Sequence, residues 1–279
     1  MNPQFKNILH SLGLYHPLQS HYRNVVFYLK RLFFRISFSS YKGHGFTCNV
    51  CQQQYFRFVD DWPSSENKNA LSNSNVIAGY GKNIMCPNCL SNARERLVIA
   101  MLEHHVNIDN KKILHLSPEK YVYQYLQSKS QVVTADLVPG FYKSIDKHIR
   151  QEDVTALSFA DHSFDVVVAN HILEHIPDDL KAMSEINRVL KKGGIAILQV
   201  PYSETITETI EELTIDNPKK QSDLFGQKDH VRIYQLNDYI SRLGQSGFIV
   251  SKISYKELSA FHQHVIQLDE IFLDIKKPY

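Results

Sequence analysis

The four cysteines of the chain come as two Cys-x-x-Cys pairs, Cys48–Cys51 and Cys86–Cys89. Each pair can form a tight turn that presents two thiolates on one face, and two such turns supply the sulfur ligands of a tetrahedral zinc site. In a reducing compartment this spacing indicates metal binding rather than disulfides, with lone thiols or a redox pair as the alternative. Because a four-thiolate site has no open position, we expect it to stabilise the fold and to take no part in catalysis.

A second group of chemically active residues follows an apolar run. Residues 163–170 are predicted to form a buried strand, residues 179–190 a helix and residues 195–200 a further strand. The loop between the first strand and the helix carries four polar residues, Asn170, His171, Glu174 and His175. Strand, helix and strand in this order form parallel neighbours in a sheet, and ligands bind beyond the carboxyl ends of such strands. We therefore expect chemistry at this loop.

Gly193 and Gly194 stand between the predicted helix and the second of these strands. Paired glycines at this position are typical of a left-handed helix cap. We therefore expect them to end the helix.

An aspartate ends another predicted strand. Residues 131–136 form an apolar run that finishes at Asp136, one helix after a short strand at residues 113–116. An acidic side chain at such a strand tip can accept hydrogen bonds from both ribose hydroxyls of an adenosine ligand. A solvated aspartate at the end of a strand is the alternative.

Length and charge set broad limits. The chain has 279 residues and a net charge of +2, which fits one large domain with a smaller module and implies no general attraction to DNA. The sequence has no run of about 18 apolar residues and no recognisable signal peptide. We expect an intracellular, cytoplasmic protein without a membrane-spanning helix.

The ordered series FDVVVANHILEHIPD, EINRVLKKGG and ILQVP resembles the class I S-adenosylmethionine-dependent methyltransferases, in particular the type 11-like group whose loop reads H-x-L-E-H-I. The resemblance covers about residues 110–279. It implies an α/β fold with a Rossmann-like seven-stranded sheet in the order 3-2-1-4-5-7-6, closed by an antiparallel hairpin. The cysteine pairs add a small N-terminal zinc ribbon to this fold. The domains expected are a helical segment at 1–40, the ribbon at 41–91 and the methyltransferase domain at 92–279.

The resemblance also assigns residues to the cofactor S-adenosylmethionine. The turn that usually carries glycines here reads Ser117-Pro-Glu119, so we expect Ser117 and Glu119 to reach the amino-acid end of the cofactor by side chain or backbone. The other cofactor contacts that we expect are the ribose acceptor Asp136, the adenine contacts Asp153 and Val154, and the pocket residues Asn170 and His171.

Catalytic candidates come from the same loop and from a later segment. Residues 201–230 lack strong periodicity, and long segments of this kind often cover an active site. The stretch FGQKDHVRIY within 224–234 is similar to a segment that accompanies the H-x-L-E-H-I loop in the related group. We predict His230 as the base or substrate contact, with Asp229 beside it and His171 lining the cofactor pocket, although a structural role is open for each histidine.

The N-terminal 91 residues carry two further expectations. Residues 64–75 are polar and are predicted to form a loop between the two cysteine turns. Residues 25–36 combine basic and large apolar side chains, a composition found in helices that lie on membrane surfaces. Peripheral membrane contact through residues 22–36 is open, and so is simple packing of this helix on the main domain or against a second copy of the chain.

The sequence favours a methyltransferase (EC 2.1.1.-) that transfers the methyl group of S-adenosylmethionine to a hydroxyl of a small molecule or glycan, with Zn²⁺ in the ribbon. One alternative is an RNA methyltransferase in which Lys82, Arg94 and Arg96 contact phosphates, although salt bridges would also explain the two arginines. Another is a non-catalytic adaptor whose ribbon binds partner proteins.

Overall fold

The computed structural model describes residues 15–62 and 65–279. The first 14 positions of the predicted N-terminal segment, and Ser64 of the predicted loop, lie outside these ranges. In the described residues the helices are α1 (Tyr15–Ser37), α2 (Ser65–Asn73), α3 (Ala93–His104), α4 (Lys120–Gln127), α5 (Asp179–Val189), α6 (Pro218–Phe225) and α7 (Leu236–Gln245). The strands are β1 (Lys42–Thr47), β2 (Gln54–Tyr55), β3 (Val59–Asp61), β4 (Gly81–Met85), β5 (Lys112–Leu116), β6 (Gln131–Asp136), β7 (Arg150–Gln151), β8 (Phe164–Val168), β9 (Leu190–Ile197), β10 (Tyr202–Ser203), β11 (Ile210–Glu211), β12 (Arg232–Gln235), β13 (Ile249–Ile253) and β14 (Phe272–Lys276).

A seven-stranded mixed sheet forms the centre of the protein, with its strands in the order β13-β14-β9-β8-β5-β6-β7. When the seven strands are numbered 1 to 7 in chain order, the sheet reads 3-2-1-4-5-7-6 from the β7 edge to the β13 edge. Strands β5 to β9 pair in parallel, whereas β14 is antiparallel to both β9 and β13. The Rossmann-like α/β fold is confirmed.

Both faces of the sheet are covered by helices, which is why its strands read as continuous apolar runs. Leu114, Val167 and Ala196 pack on one face with α5 and α7. Their neighbours along the strands point to the opposite face, which packs against α3 and α4. The loops at the carboxyl ends of β5, β6 and β8 are thereby held side by side at one edge.

The cap predicted for the helix before β9 is wrong. Helix α5 ends one residue before Leu190, which is extended (φ −71°, ψ 139°) and begins β9 directly. Gly193 and Gly194 lie inside β9, next to an irregularity in its pairing with β8. A Cβ on Gly194 would lie 2.8 Å from the carbonyl oxygen of Lys191. Gly194 therefore permits a close backbone contact within the sheet, and neither glycine caps the helix.

The loop predicted at 64–75 is also wrong, because α2 occupies most of it. The helix is short and polar, so its sequence carries little intrinsic helical signal. It contacts α6 of the main domain, and Ala70 is buried. Tertiary contacts that are distant in sequence stabilise this helix.

The segment at 201–235 forms a small second sheet, in which β12 lies between β10 and β11. Two of its strands have only two residues, which explains the lack of periodicity in the sequence. Within the described residues, none of the helices has the length and apolar character needed to cross a bilayer.

Candidate functional site

A cleft of about 520 Å³ opens at the carboxyl ends of β5, β6 and β8, and we call it the strand-end cleft. Five residues predicted to bind the cofactor line it, namely Ser117, Asp136, Asp153, Val154 and His171. Asp229, predicted as catalytic, also lies on its wall. Asp136 and Asp153 thus line the same cleft, although they lie on separate elements.

Ser117 and Asp136 are joined at the tips of β5 and β6. The Oγ of Ser117 donates to Oδ2 of Asp136 at 2.5 Å, and the amide of Val138 donates to Oδ1 at 2.6 Å. Ser117 has a left-handed backbone (φ 44°), which glycine adopts without strain and serine does not. The carboxylate is held in place by these bonds and keeps lone pairs for hydroxyl donors.

Asp153 is fixed by a local turn. The amide and the hydroxyl of Thr155 each donate to its Oδ1 at 2.8 Å, and these bonds lower the pKa of Asp153. Val154 beside it is buried. On the cleft wall, Leu137 and Val138 expose apolar surface, which an aromatic ring would cover. The cleft therefore combines ionised acceptors with an apolar wall.

Glu119 and Asn170, also predicted to bind the cofactor, are not among the described residues that line the strand-end cleft. They bind each other instead, with Nδ2 of Asn170 donating to Oε2 of Glu119 at 3.0 Å. Arg94 forms an ion pair with the same carboxylate, Nε to Oε1, at 3.3 Å. The Oδ1 of Asn170 is buried and has no hydrogen-bond partner in the described chain.

The loop after β8 meets the segment before β12 at a cluster of ionisable side chains. The Oε1 of Glu174 lies 3.5 Å from Nδ1 of His171 and 3.9 Å from Nε2 of His230. The rings of His175 and His230 are nearly perpendicular, with centroids 4.6 Å apart. The side chain of Asp229 points outward and is 56% exposed, while its backbone carbonyl lies 3.1 Å from Nδ1 of His175.

The electrostatics of this cluster favour neutral imidazoles around an ionised carboxylate. Burial lowers the pKa of His230 to about 4, and burial with the nearby Arg94 guanidinium lowers the pKa of His171. Burial opposes ionisation of Glu174, but the hydrogen bond and charge of His171, with His175 and His230, lower its pKa to about 2. These are the protonation states in which histidine accepts protons and both groups bind cations.

Arg232 holds the two halves of this cluster together. It is fully buried and donates to the carbonyls of Leu173 (3.0 Å) and Pro177 (2.9 Å), on either side of Glu174 and His175. The backbone of Glu174 also accepts from the amide of Val231 at 3.0 Å. Arg232 is not among the predicted site residues, although it belongs to the stretch FGQKDHVRIY that resembles a segment of the related group.

A smaller pocket of about 120 Å³ adjoins this cluster, and we call it the side pocket. Glu174, His175 and His230 line it on the main-domain side. Leu71 and Tyr80, from the region between the cysteine pairs, line the other side. His171 and His175 line both the side pocket and the strand-end cleft, so the two spaces are neighbours.

Residues 118–198 match a family model described as a methyltransferase domain. This stretch resembles a methyltransferase domain. It runs from the turn after β5 to the end of β9 and contains the loop with His171, Glu174 and His175. The strand-end cleft is therefore built largely from residues of this matched stretch.

Two curated proteins are similar to parts of this chain. The uncharacterized protein YafE of Escherichia coli (strain K12) is 27% identical over 110 residues, which cover 37% of this chain and 47% of that protein. Demethylmenaquinone methyltransferase of Staphylococcus haemolyticus (strain JCSC1435) is 44% identical over 50 residues, covering 18% of this chain and 21% of that protein. The chain spans about half the length, or less, of these curated relatives.

A solved structure is similar in fold. It is a chain from the complex between the Trm112 methyltransferase activator of Haloferax volcanii and a methyltransferase. The TM-score is 0.50 and the identity 14%, over 67% of this chain and 94% of that chain. At this identity the likeness shows a shared fold.

The four cysteines converge on one point, within the part of residues 41–91 that the structure describes. One sulfur from each lies within 4.8 Å of all the others, and the Sγ pairs Cys48–Cys89 and Cys51–Cys86 are each 3.7 Å apart. Four sulfurs around Zn²⁺, with Zn–S bonds of about 2.3 Å, would be about 3.8 Å apart. The geometry therefore fits a closed four-thiolate metal site.

Arg96 anchors the segment that carries the cysteines (residues 41–91, the cysteine module) to the C-terminal part of the chain. Its guanidinium is fully buried and donates to the carbonyls of Ile84, Ser91, His264 and Val265. Nε reaches the His264 carbonyl at 2.6 Å. Arg96 is therefore not available to nucleic-acid phosphates, and Arg94 already pairs with Glu119.

Proposed function

We propose that the protein is an S-adenosylmethionine-dependent methyltransferase whose acceptor is a hydroxyl of a small molecule or glycan. The observation that carries this proposal is the shared strand-end cleft, where Asp136 and Asp153 lie together at the edge of a methyltransferase domain. The side pocket next to the cleft provides a separate space for an acceptor. Methyl donor and acceptor can thus bind side by side.

Different residues would hold the nucleoside end and the amino-acid end of the cofactor. Asp136 accepts from the ribose hydroxyls, Asp153 from the adenine amino group, and Val154 packs on the base and offers its amide. Ser117 and Glu119 serve the amino-acid end. The unpartnered Oδ1 of Asn170 fits this assignment, because it is a buried acceptor beside Glu119 that an ammonium group would satisfy.

The reaction requires alignment more than strong acid or base catalysis. Bound S-adenosylmethionine supplies a methyl group on a positively charged sulfur. As the bond from the acceptor oxygen to the methyl carbon forms, the carbon–sulfur bond breaks, its electron pair remains on sulfur, and the hydroxyl proton must leave. His230 and His171, kept neutral by burial, are the candidates to accept that proton, with Asp229 beside the entrance. The walls of the cleft and the side pocket hold the reactants in line and limit access by water.

We further propose that the four cysteines bind Zn²⁺. Each Cys-x-x-Cys turn is closed by a backbone hydrogen bond, from Gln52 to Cys48 and from Leu90 to Cys86. Gln52 and Leu90 are both left-handed, at φ 57° and 63°. The two turns thus have the same conformation, which presents both pairs of thiolates to one point. Because all four positions would be filled by sulfur, this metal stabilises the module and does not touch the acceptor.

As a second part of the proposal, we infer that helix α1 contacts a membrane surface. Tyr22, Leu29, Phe33 and Ile36 are each more than half exposed, and their spacing places them on one face of the helix. Phe27 packs on the opposite side, with other residues near β3 and β4. Basic side chains on the same helix would favour anionic lipids.

Sedimentation with vesicles tests this contact. The full chain should sediment with phosphatidylglycerol vesicles and far less with phosphatidylcholine vesicles, and Phe33→Glu should reduce the bound fraction several-fold. A protein that stays in the supernatant with both lipids, or one in which this face joins two copies into a dimer, would refute it.

The methyltransferase proposal is tested by product formation. The full chain is incubated with S-adenosylmethionine and a panel of hydroxylated small molecules and sugars, and the release of S-adenosylhomocysteine is measured by mass spectrometry. We expect release that depends on at least one acceptor and falls in the Asp136→Ala variant. A chain that binds neither S-adenosylmethionine nor S-adenosylhomocysteine would favour the adaptor alternative.

A further inference from the structure

We propose that Glu174, His175 and His230 bind a divalent transition-metal ion in the side pocket, and that this ion holds the acceptor hydroxyl. The proposal rests on the proposed methyltransferase function for the role of the ion, and on the geometry of the three side chains for its presence. We call these residues the Glu-His-His cluster.

The donor atoms are close enough to share one ion. One ligand atom from each residue lies within 4.8 Å of the other two, and Nε2 of His230 is 3.9 Å from Oε1 of Glu174. Ligands bound at about 2.0 to 2.2 Å from one ion lie about 3 to 4 Å apart, so only small side-chain movements are required. Two imidazoles and one carboxylate are a donor set suited to zinc, iron, cobalt or nickel.

An independent observation is the second carboxylate oxygen of Glu174. The side chain of Glu174 is only 1% exposed, and its Oε2 is buried and has no hydrogen-bond partner among the described residues. A buried, ionised oxygen without a partner is costly, and proteins rarely leave one in place. A cation at the cluster would satisfy it.

The surroundings orient the ligands as metal sites require. Nδ1–H of His175 can donate to the carbonyl of Asp229 at 3.1 Å, which leaves its Nε2 with a free lone pair. The backbone of Glu174 is held by Val231, and Arg232 fixes the carbonyls before and after the loop. The loop and the segment that carries His230 are therefore positioned before any ion binds.

The position of the cluster indicates what the ion does. Three protein ligands leave coordination positions open, and the side pocket provides space at those positions. A hydroxyl bound there loses its proton to solvent more easily, because the cation stabilises the resulting oxyanion. His175 also lines the strand-end cleft, so the bound oxygen lies next to the methyl donor. In this arrangement His230 is a ligand of the ion and not the base.

Titration with Co²⁺ tests the site. The full chain, purified with its cysteine site filled by zinc, is titrated with Co²⁺, and the visible absorption and the metal content are both measured. We expect one Co²⁺ per chain with the spectrum of nitrogen and oxygen ligands. Glu174→Gln and His230→Ala should weaken this binding more than about tenfold, while His148→Ala, at an exposed histidine outside the cluster, should not.

The outcomes separate this proposal from the methyltransferase proposal, because S-adenosylhomocysteine binding is measured on the same samples. If the wild-type chain binds S-adenosylhomocysteine but no Co²⁺ beyond a thiolate-type signal, the metal site is refuted and the methyltransferase proposal stands. Equal Co²⁺ binding in wild type and in both cluster variants would also refute the site. Co²⁺ binding that depends on the cluster, in a chain that does not bind S-adenosylhomocysteine, would support the site and refute its role in methyl transfer.

Discussion

The cysteine cluster and the Glu-His-His cluster both bring metal-binding side chains together, but they differ in what surrounds them. The four sulfurs come from two turns with the same conformation and leave no position for another ligand. The Glu-His-His cluster has three ligands, an unsatisfied carboxylate oxygen and an adjoining pocket. The difference indicates that the first cluster serves the fold and the second serves chemistry.

The two regions are nevertheless connected. Leu71, Ala78 and Tyr80 lie between the two cysteine pairs in sequence and line the side pocket. Ile77 pairs with Tyr202, the first residue of β10 in the small sheet, and His230 lies just before β12 of the same sheet. A structural metal in the cysteine module would therefore also position one wall of the acceptor pocket.

The largest effect is expected from Cys86→Ser. Losing a thiolate ligand removes much of the folding free energy that metal supplies, which is on the order of 10 kcal/mol for structural zinc in small modules. We expect loss of bound zinc and a large fall in the melting temperature, measured by metal analysis and calorimetry. Gln54→Ala, at an exposed position of the same module, is the control. A Cys86→Ser protein with full zinc content and an unchanged melting temperature would show that metal at the cysteine cluster does not stabilise the fold.

The next effect concerns Arg232, which joins the two halves of the Glu-His-His cluster. Arg232→Met leaves the carbonyls of Ile176 and Pro177 without their donor and removes one of the two arginines that bind the carboxylate of Glu211. A buried acceptor left without a donor costs about 1 to 3 kcal/mol, so the two carbonyls together should cost about 2 to 6 kcal/mol. The free energy of unfolding should fall by that amount, and Co²⁺ affinity should fall with it.

Arg57→Met serves as the matched control, since Arg57 is half exposed and its pair with Asp60 should contribute less than about 1 kcal/mol. If both variants lose equally little stability, Arg232 does not hold the loop.

A smaller effect is expected from a comparison of two buried glutamates, Glu174 and Glu270. Glu174 and Glu270 each have an Oε2 without a partner in the described chain, yet their environments differ. Burial raises the pKa of Glu270 from 4.5 to about 7, whereas the histidines around Glu174 keep its pKa low. An unpartnered oxygen alone therefore does not identify a metal site; the neighbouring ligands do.

The pKa of Glu270 predicts a pH dependence of stability. Because folding favours the protonated form, this group costs stability as the pH rises from about 4.5 to about 7, up to about 3 kcal/mol. Glu270→Gln removes that cost. The free energy of unfolding of the variant, measured by chemical denaturation, should therefore rise relative to that of wild type between pH 5 and pH 8. A difference that does not change with pH would show that Glu270 is ionised in the folded protein.

The sequence was sufficient for the parts of the fold whose signal is local. Apolar runs predicted β5, β6, β8 and β9, and the Asn92–Glu95 capping box that begins α3 is a signal of the same local kind. The resemblance identified a methyltransferase domain, which the family match supports.

Features that depend on distant contacts were not predictable. Helix α2 forms against α6, and Gly194 of β9 is required by the close approach of the backbone of Lys191. The role of Arg232 appears only when the loop after β8 and strand β12 are brought together. Likewise, no pattern in the sequence indicates that Leu71 and Tyr80 face the Glu-His-His cluster across the side pocket.

The central claim is that the strand-end cleft binds the nucleoside of the methyl donor through Asp136. Calorimetric titration of the full chain with S-adenosylhomocysteine tests it directly, with Asp136→Ala as the site variant and Asp216→Ala, at an exposed position, as the control. We predict one molecule bound per chain, an affinity at least about tenfold weaker in Asp136→Ala and unchanged in Asp216→Ala, because the variant loses the acceptor for the ribose hydroxyls. Absence of binding in the wild-type chain, or equal binding in Asp136→Ala, would contradict the claim.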